Sequence, residues 1–402
     1  MDEIAPETAE WLVDDGRDHV TDATDALDHG ESELAIVARL RAAGLSTEQT
    51  GAVVGAATAR RRARATWPAA DRLFFTRTAL EQASDPQVST WRTRRLADAD
   101  VWDLGAGVGG DTLAAAAHGA RVTAVDLDGA RLTLLRHNAA VLGVDVTIVH
   151  GDALRVRPAA AAFVHADPGR RLGERRVRRL IDHQPPVGAL LQAHAGVRGM
   201  AIVLSPAVDL GDPDLPPDAE LEFVQTGGDL REAVAWTGEL RGIDVAARAT
   251  LLPEGHSLTR TTAEGRAHLP VGPVGEILLD VAPAAVRARL HDRIGAEHGA
   301  RRIARTRALL CLDAPPAPDP WVRWRRVHAV LPVRAKAVRA WFRARDVDAV
   351  EFVSHGMPLD ADAWWRALGR PPRGPNGWRI ELVRMDDGGR VLLTREASMA
   401  DS

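Results

Sequence analysis

Residues 103–110 read Asp-Leu-Gly-Ala-Gly-Val-Gly-Gly, between a short apolar run (101–104) and an alanine-rich stretch (111–118). Helix and strand interiors do not tolerate that density of glycine, so the chain must turn sharply here, from a strand into a helix. A turn stripped of side chains lets a ligand approach the backbone, and the helix behind it offers unpaired N–H groups. Strands alternating with helices build a parallel sheet covered on both faces. The alternation continues: strands are expected at 121–127, 146–150, 162–166 and 200–204, with helices through 142 and around 187–194. Residues 221–226 and 246–252 are candidates for two final strands. The expected class is α/β, a doubly wound Rossmann-like sheet.

At 402 residues the chain has room for two or three domains, and 46% apolar with 26% charged residues is ordinary for a chain that buries a core. The longest apolar run, near 159–164, falls far short of the ~20 residues of a membrane helix. The acidic start, Met1-Asp2-Glu3, is unlike a cationic leader. A single cysteine, Cys311, excludes an internal disulfide and a cysteine-built zinc site. These features point to the cytoplasm. Net charge is −4 but unevenly placed: residues 1–33 carry twelve acids against Arg17 alone, and the remainder is net positive. Only Lys336 is a lysine, a bias read as genomic GC pressure, yet clustered arginines still make phosphate-binding surfaces.

The first segment, 1–72, is expected to be helical, with Arg60, Arg61, Arg62 and Arg64 forming a solvated face or a basic patch. The α/β core is expected at 73–270, followed by a connecting segment (271–320) that ends in a proline-rich hinge at 314–320. The last module, 321–402, is expected to be small and α+β. It holds Trp321, Arg323, Trp324, Arg325 and Arg326, an arginine-rich helix at 334–345 and strands at 378–384 and 390–394.

The glycine string satisfies G-x-G-x-x-G, which by itself separates no dinucleotide from another adenosine-containing cofactor. Asp103 stands two residues before the first glycine, where a carboxylate meets a cationic group of a ligand. Asp126 ends the second strand, 23 residues later, placed to accept ribose hydroxyls. Asp152, in Gly151-Asp152-Ala153, ends the third, placed to accept an adenine amino group. Asp167-Pro168-Gly169-Arg170-Arg171 follows the fourth strand, at the crevice where open α/β sheets bind substrates.

Together, residues 103–110, Val125-Asp126, Gly151-Asp152 and Asp167-Pro168 resemble the ordered motifs of class I S-adenosylmethionine-dependent methyltransferases. The resemblance implies that Asp103 faces the methionine amino group and that the backbone at Gly105, Gly107 and Gly109 lies along the cofactor. It likewise implies that Asp126 holds the ribose and Asp152 the adenine. On the acceptor side, methyl transfer from a sulfonium chiefly needs an in-line nucleophile at near-attack distance. An exocyclic base amine is a poor nucleophile, and a carboxylate with backbone carbonyls accepting its N–H protons counters that. Asp167 before a rigid Pro168 suits this catalytic role. The tract resembles the Asp/Asn-Pro-Pro-aromatic motif of amino-methylating enzymes, with Gly169 in place of the second proline and Arg170 in place of the aromatic. Stacking of a base would then fall to Phe74, Phe75 or Trp91, residue types whose usual place is the core.

Phe75-Thr76-Arg77-Thr78-Ala79-Leu80-Glu81-Gln82-Ala83-Ser84, the Gly107–Asp111 string and 204–209 narrow the resemblance to a bacterial methyltransferase group with a carboxy-terminal THUMP-like domain. Its core is similar to trimethylguanosine synthase-type RNA methyltransferases. This implies an rRNA or tRNA substrate, with Arg170, Arg171, Phe75 and Thr76 as substrate-side candidates. Arg170, Arg171, Arg175, Arg176, Arg178 and Arg179, with only Glu174 to offset them, form a basic stripe beside the acceptor motif. Trp321 and Trp324 either interleave with cations as in single-strand binders or form a core stripe at helical spacing. The histidines lack metal-ligand spacing, so no metal is expected. Rival readings are a methyltransferase for a small molecule or protein, a non-catalytic RNA-binding protein, and a nicotinamide oxidoreductase.

Overall fold

The computed structural model describes residues 4–172, 175–263, 268–305, 308–343, 345, 347, 349–374 and 377–396; of residues 171–176 no side chain is described. The chain divides into two compact units. One holds residues up to 226 with 231–246 and 251–255; the other holds 227–230, 247–250 and 256 onward.

The first unit opens with four helices whose starts are written in local chemistry. Proline occupies the first turn of α1 (Pro6–Val13), and α2 (Arg17–Asp28) follows. The Ser32 side chain caps α3 (Glu33–Ala42), and a Ser46/Gln49 capping box opens α4 (Thr47–Ala63). Their buried faces, Leu12, Val20, Ile36 and Val53 among them, share one core with Leu73, Phe74 and Phe75 that extends to Val108, Ala130 and Leu134. The acidic amino-terminal residues answer the arginine run. Arg61 and Arg64 pair with Asp28 at 2.8 and 2.5 Å, Arg64 also with Asp71, and Arg62 lies 3.7 Å from Glu81. Arg60 is instead buried, with its Nε donating to the Leu73 carbonyl (3.1 Å) and its guanidinium over the Phe74 ring; burial lowers its pKa to about 10.

After α5 (Arg77–Gln82) and α6 (Pro86–Thr93) the sheet begins. Its elements are β1 (Asp100–Leu104), α7 (Gly110–Ala117), β2 (Arg121–Asp126), α8 (Gly129–Leu142), β3 (Val146–His150) and β4 (Phe163–Ala166). A short hairpin, β5 (Arg171–Leu172) and β6 (Arg175–Arg176), precedes α9 (Val187–Ala193), β7 (Gly199–Leu204), β8 (Glu220–Thr226) and β9 (Asp229–Trp236). The order is β3-β2-β1-β4-β7-β9-β8. Strands β3, β2, β1, β4 and β7 are parallel, with Asp103 opposite Ala124 and Leu104 opposite Ala166, whereas β9 runs antiparallel to β7. The doubly wound Rossmann-like sheet is therefore present, with an antiparallel strand, 229–236, that the sequence pattern did not reveal. Strand order reverses between β1 and β4, so a crevice opens at their carboxyl ends. No helix among the described residues is long and apolar enough to cross a membrane.

Neighbouring strands β10 (Val245–Leu252) and β11 (His256–Thr261) follow. The second unit then runs β12 (Ile277–Val281), α10 (Pro283–Arg287), α11 (His291–Glu297), β13 (Arg301–Arg302), β14 (Leu310–Leu312), β15 (Val322–Pro332), α12 (Ala335–Phe342), β16 (Val350–His355), α13 (Ala361–Ala367), β17 (Trp378–Met385) and β18 (Gly388–Glu396). The sheet order is β13-β14-β12-β15-β18-β17-β16. Two expectations change. Residues 271–320 are not a bare connector: β12 pairs with β15 over five residue pairs, so its strands share a sheet with the last module. And Trp324 lies on a strand, not a helix, so the pleat sends neighbouring side chains to opposite faces. Even on one face packing divides them: Arg323 is exposed while Arg325, two residues on, is buried against Glu396, so aromatics and cations at 321–326 do not form one surface.

Candidate active site

The crevice gathers the sequence candidates because each follows a strand that ends there. Gly105, Gly107 and Gly109 all have positive φ (85°, 57° and 101°). At Gly109 a Cβ would also collide with the Leu135 side chain, so only glycine serves. A Cβ at Gly105 would sit 3.6 Å from the Asp167 carbonyl oxygen, which places the acceptor motif against the glycine loop. The loop's amides are largely spoken for. Gly105 and Ala106 donate to the Val125 carbonyl (2.8 and 3.1 Å), and Gly109 donates to Ala106 (3.0 Å). Gly107 donates to Asp126 Oδ2 at 2.8 Å. The other Asp126 oxygen accepts from the Asp128 N–H at 2.9 Å. A carboxylate has about four lone-pair positions, so Asp126 keeps acceptor capacity for a diol. Asp152 Oδ1 accepts from the Leu154 N–H (2.9 Å), and its carboxylate remains partly exposed.

Asp103 is placed differently from the expectation. It is buried, one oxygen taking a hydrogen bond from Thr112 and the other lying 2.8 Å from His165 Nδ1. In this arrangement its partners are protein groups. Behind the glycine loop it joins a buried ionic cluster that sequence reasoning did not assemble. Arg92 of α6 has no exposed side-chain surface and pairs with Asp111 of α7 and Glu232 of β9. Asp111 also accepts from Ser84 (2.9 Å) and Ser89 (2.8 Å). Burial disfavours the Asp111 charge, but Arg92 and His165 beside it overcome this and hold the carboxyl far below the usual range. Burial likewise opposes the His165 imidazolium, and Asp111 with Asp103 outweighs it, raising that pKa. For Glu232 burial wins and the pKa rises. Only a shared fold brings residues 84, 92, 111, 165 and 232 together. The one hint in the sequence is Asp111 closing the glycine string.

Asp167 is pushed up by burial, with the neighbouring Arg170 opposing and Asp111 adding to the rise. Pro168 is buried and Gly169 is anchored by two backbone hydrogen bonds with Gln184 (2.8 and 2.9 Å). Arg170 is half-buried, and the Arg171, Arg175 and Arg176 side chains lie outside the described residues. Phe75 does not line the crevice as an exposed ring: it is 1% exposed and tilted against Trp67 at 5.2 Å. Phe74 is buried as well, and the Trp91 indole donates to Glu222 (2.9 Å). The Thr76 side chain caps α5 through the Ala79 N–H. The apolar demand of the core has claimed these aromatics.

In the second unit α12 and the residues that flank it present Arg334, Lys336, Arg339 and Arg343 to solvent, and none has a carboxylate partner among the described residues. Arg345 stacks over Trp341 at 3.8 Å. Val338 and Phe342 turn inward onto Trp378, Ile380 and Leu382.

A sheet of this order, with a glycine loop at its switch point and acids after β2, β3 and β4, defines a nucleotide-type cofactor enzyme. A methyltransferase-domain family matches residues 101–166, and a THUMP domain-like family matches 322–396. S-adenosylmethionine-dependent methyltransferases of Mycobacterium tuberculosis strains CDC 1551 and H37Rv are 32% identical over 322 residues, covering 80% of this chain and 87% of theirs. The crystal structure of a Porphyromonas gingivalis W83 protein described as a methyltransferase has a similar fold. It covers 88% of this chain and 92% of that one, with a TM-score of 0.73 at 21% identity. The chain belongs to the S-adenosylmethionine-dependent methyltransferases.

Proposed function

We propose that this enzyme methylates a base in rRNA or tRNA. The observation that carries the RNA assignment is the cationic segment formed by α12 and its two flanking residues, four exposed positive side chains with no carboxylate partner among the described residues, inside the THUMP-like match. A solvent-facing row of cations is the footprint of phosphate recognition. The cofactor supplies an electrophilic methyl on a sulfonium. The residues present fit it: open space at Gly107, the remaining lone pairs of Asp126, and partly exposed Asp152. In this reading Asp126 holds the ribose, Asp152 the adenine edge, and the glycine backbone the length of the cofactor. Asp167 and the backbone carbonyl before Pro168 orient the acceptor amine by accepting its N–H protons. As the new N–C bond forms and the S–C bond breaks, the surplus amine proton passes to the Asp167 carboxylate, whose raised pKa favours taking it. Arg170 and Arg171 serve the RNA backbone beside the motif.

The test is transfer of labelled methyl from S-adenosylmethionine to total RNA of a strain lacking this gene, followed by nucleoside mass spectrometry. One newly methylated nucleoside in rRNA or tRNA is expected. Binding of S-adenosylhomocysteine without transfer to any RNA would overturn the RNA assignment. Replacing Arg334, Lys336, Arg339 and Arg343 by glutamine should reduce the salt slope of RNA binding, by roughly 0.7 to 0.9 log units for each phosphate no longer neutralised. An unchanged slope would show that α12 does not grip RNA.

A further inference from the structure

We infer that Asn138, on α8, is a positioning residue for the cofactor loop, and that it ties this loop to the amino-terminal helices. The inference rests on reading residues 105–109 as the cofactor site. Asn138 is fully buried. Its side-chain oxygen accepts from the Phe74 N–H at 2.8 Å, and its amide nitrogen donates to the Phe74 carbonyl at 3.0 Å. It thus imitates a neighbouring strand for a residue that has none. The same amide nitrogen donates to the Val108 carbonyl at 3.2 Å.

That bond holds one end of the Val108–Gly109 peptide. The other end is held by the Gly109 N–H on the Ala106 carbonyl, at 3.0 Å. With this peptide fixed, the adjacent Val108 N–H is left without a hydrogen-bond partner among the described residues. A positive-φ loop has alternative conformations of similar energy, so a bond that selects one of them acts on affinity beyond its share of stability. Phe74 belongs to the core formed by α1 to α4, and that core also includes Val108. One amide therefore joins the amino-terminal helices to the loop.

The experiment uses the full chain and S-adenosylhomocysteine as probe, by calorimetry well below the melting temperature. Asn138→Ala should weaken binding about tenfold, the scale of one lost buried hydrogen bond. Val20→Ala, in the same helical core but away from the loop, serves as the control: its melting temperature falls while its affinity stays within about twofold. Asn138→Asp keeps the acceptor for the Phe74 N–H and removes both donations, and it is used where the alanine variant does not fold. A second measurement needs no substitution: saturating the wild-type chain with S-adenosylhomocysteine should slow hydrogen exchange at the Phe74 amide. Unchanged affinity in the Asn138 variants, or unchanged Phe74 exchange, would overturn the inference. Gly107→Val separates the two layers. If it too leaves binding intact, the cofactor-site reading fails, not merely the role of Asn138.

Discussion

Replacing Arg92 by methionine tests the buried ionic cluster most directly. The substitution preserves much of the side chain's volume and removes its charge, leaving Asp111 and Glu232 facing each other in a site where Arg92 had no exposed side-chain surface. Breaking a buried pair by deleting one partner costs about 3–5 kcal/mol, because the remaining charge keeps its desolvation penalty. For a unit of this size that corresponds to a fall in Tm of roughly 6–20 °C. The pH dependence has a defined sign. In the wild type the lowered Asp111 pKa contributes stability that is present above the ordinary carboxylate pKa and is lost only as pH falls through the depressed value. In the variant the counter-charge is gone and burial favours the protonated acids. The deficit should therefore be largest near pH 8 and shrink as pH is lowered toward 5. Urea denaturation of both proteins across that range measures it; urea leaves ion pairs unscreened. A loss below about 1 kcal/mol, or a deficit that grows on acidification, would refute the cluster's role.

Asp126→Ala should weaken S-adenosylhomocysteine binding by about 1.5–3 kcal/mol, the scale of hydrogen bonds to a charged group, and calorimetry on the folded variant checks it. Asp167→Ala should abolish methyl transfer to RNA while cofactor affinity stays within about twofold; a collapse of binding would move Asp167 into the cofactor site. Because Asp167 is raised by burial, turnover of the wild type should fall on acidification through a pKa above the ordinary carboxylate value, and a pH–rate profile flat to pH 4 would contradict that.

How far the site could be read from the chain depended on the range of the interactions. The glycine loop and Asp126, Asp152 and Asp167 follow from strand-end grammar, which is local. Asp103 was located correctly at the end of β1, but its partners His165 and Thr112 come from β4 and α7. Phe75 is a residue type whose usual place is the core, but only the packing of α1 to α4 decided that it is enclosed there. Asn138 sits mid-helix in a run that reads as an ordinary helix face, and its value comes from residues 64 and 30 positions away.

What the amino-acid sequence determined by itself was the alternation of strands and helices and, through it, the crevice. Glycine density forces a turn, and apolar periodicity forces a covered sheet; both act within a few residues. Tertiary structure alone decided which charges are buried together. Arg92, Asp111, His165 and Glu232 have no shared spacing, and each would read as a surface residue in isolation. Their pKa values move because packing removes water from all of them at once, so each must find its counter-charge among the others. The same holds for the strand at 322–332: Arg323 and Arg325, two residues apart, share a face of the pleat, yet tertiary packing leaves the first exposed and buries the second.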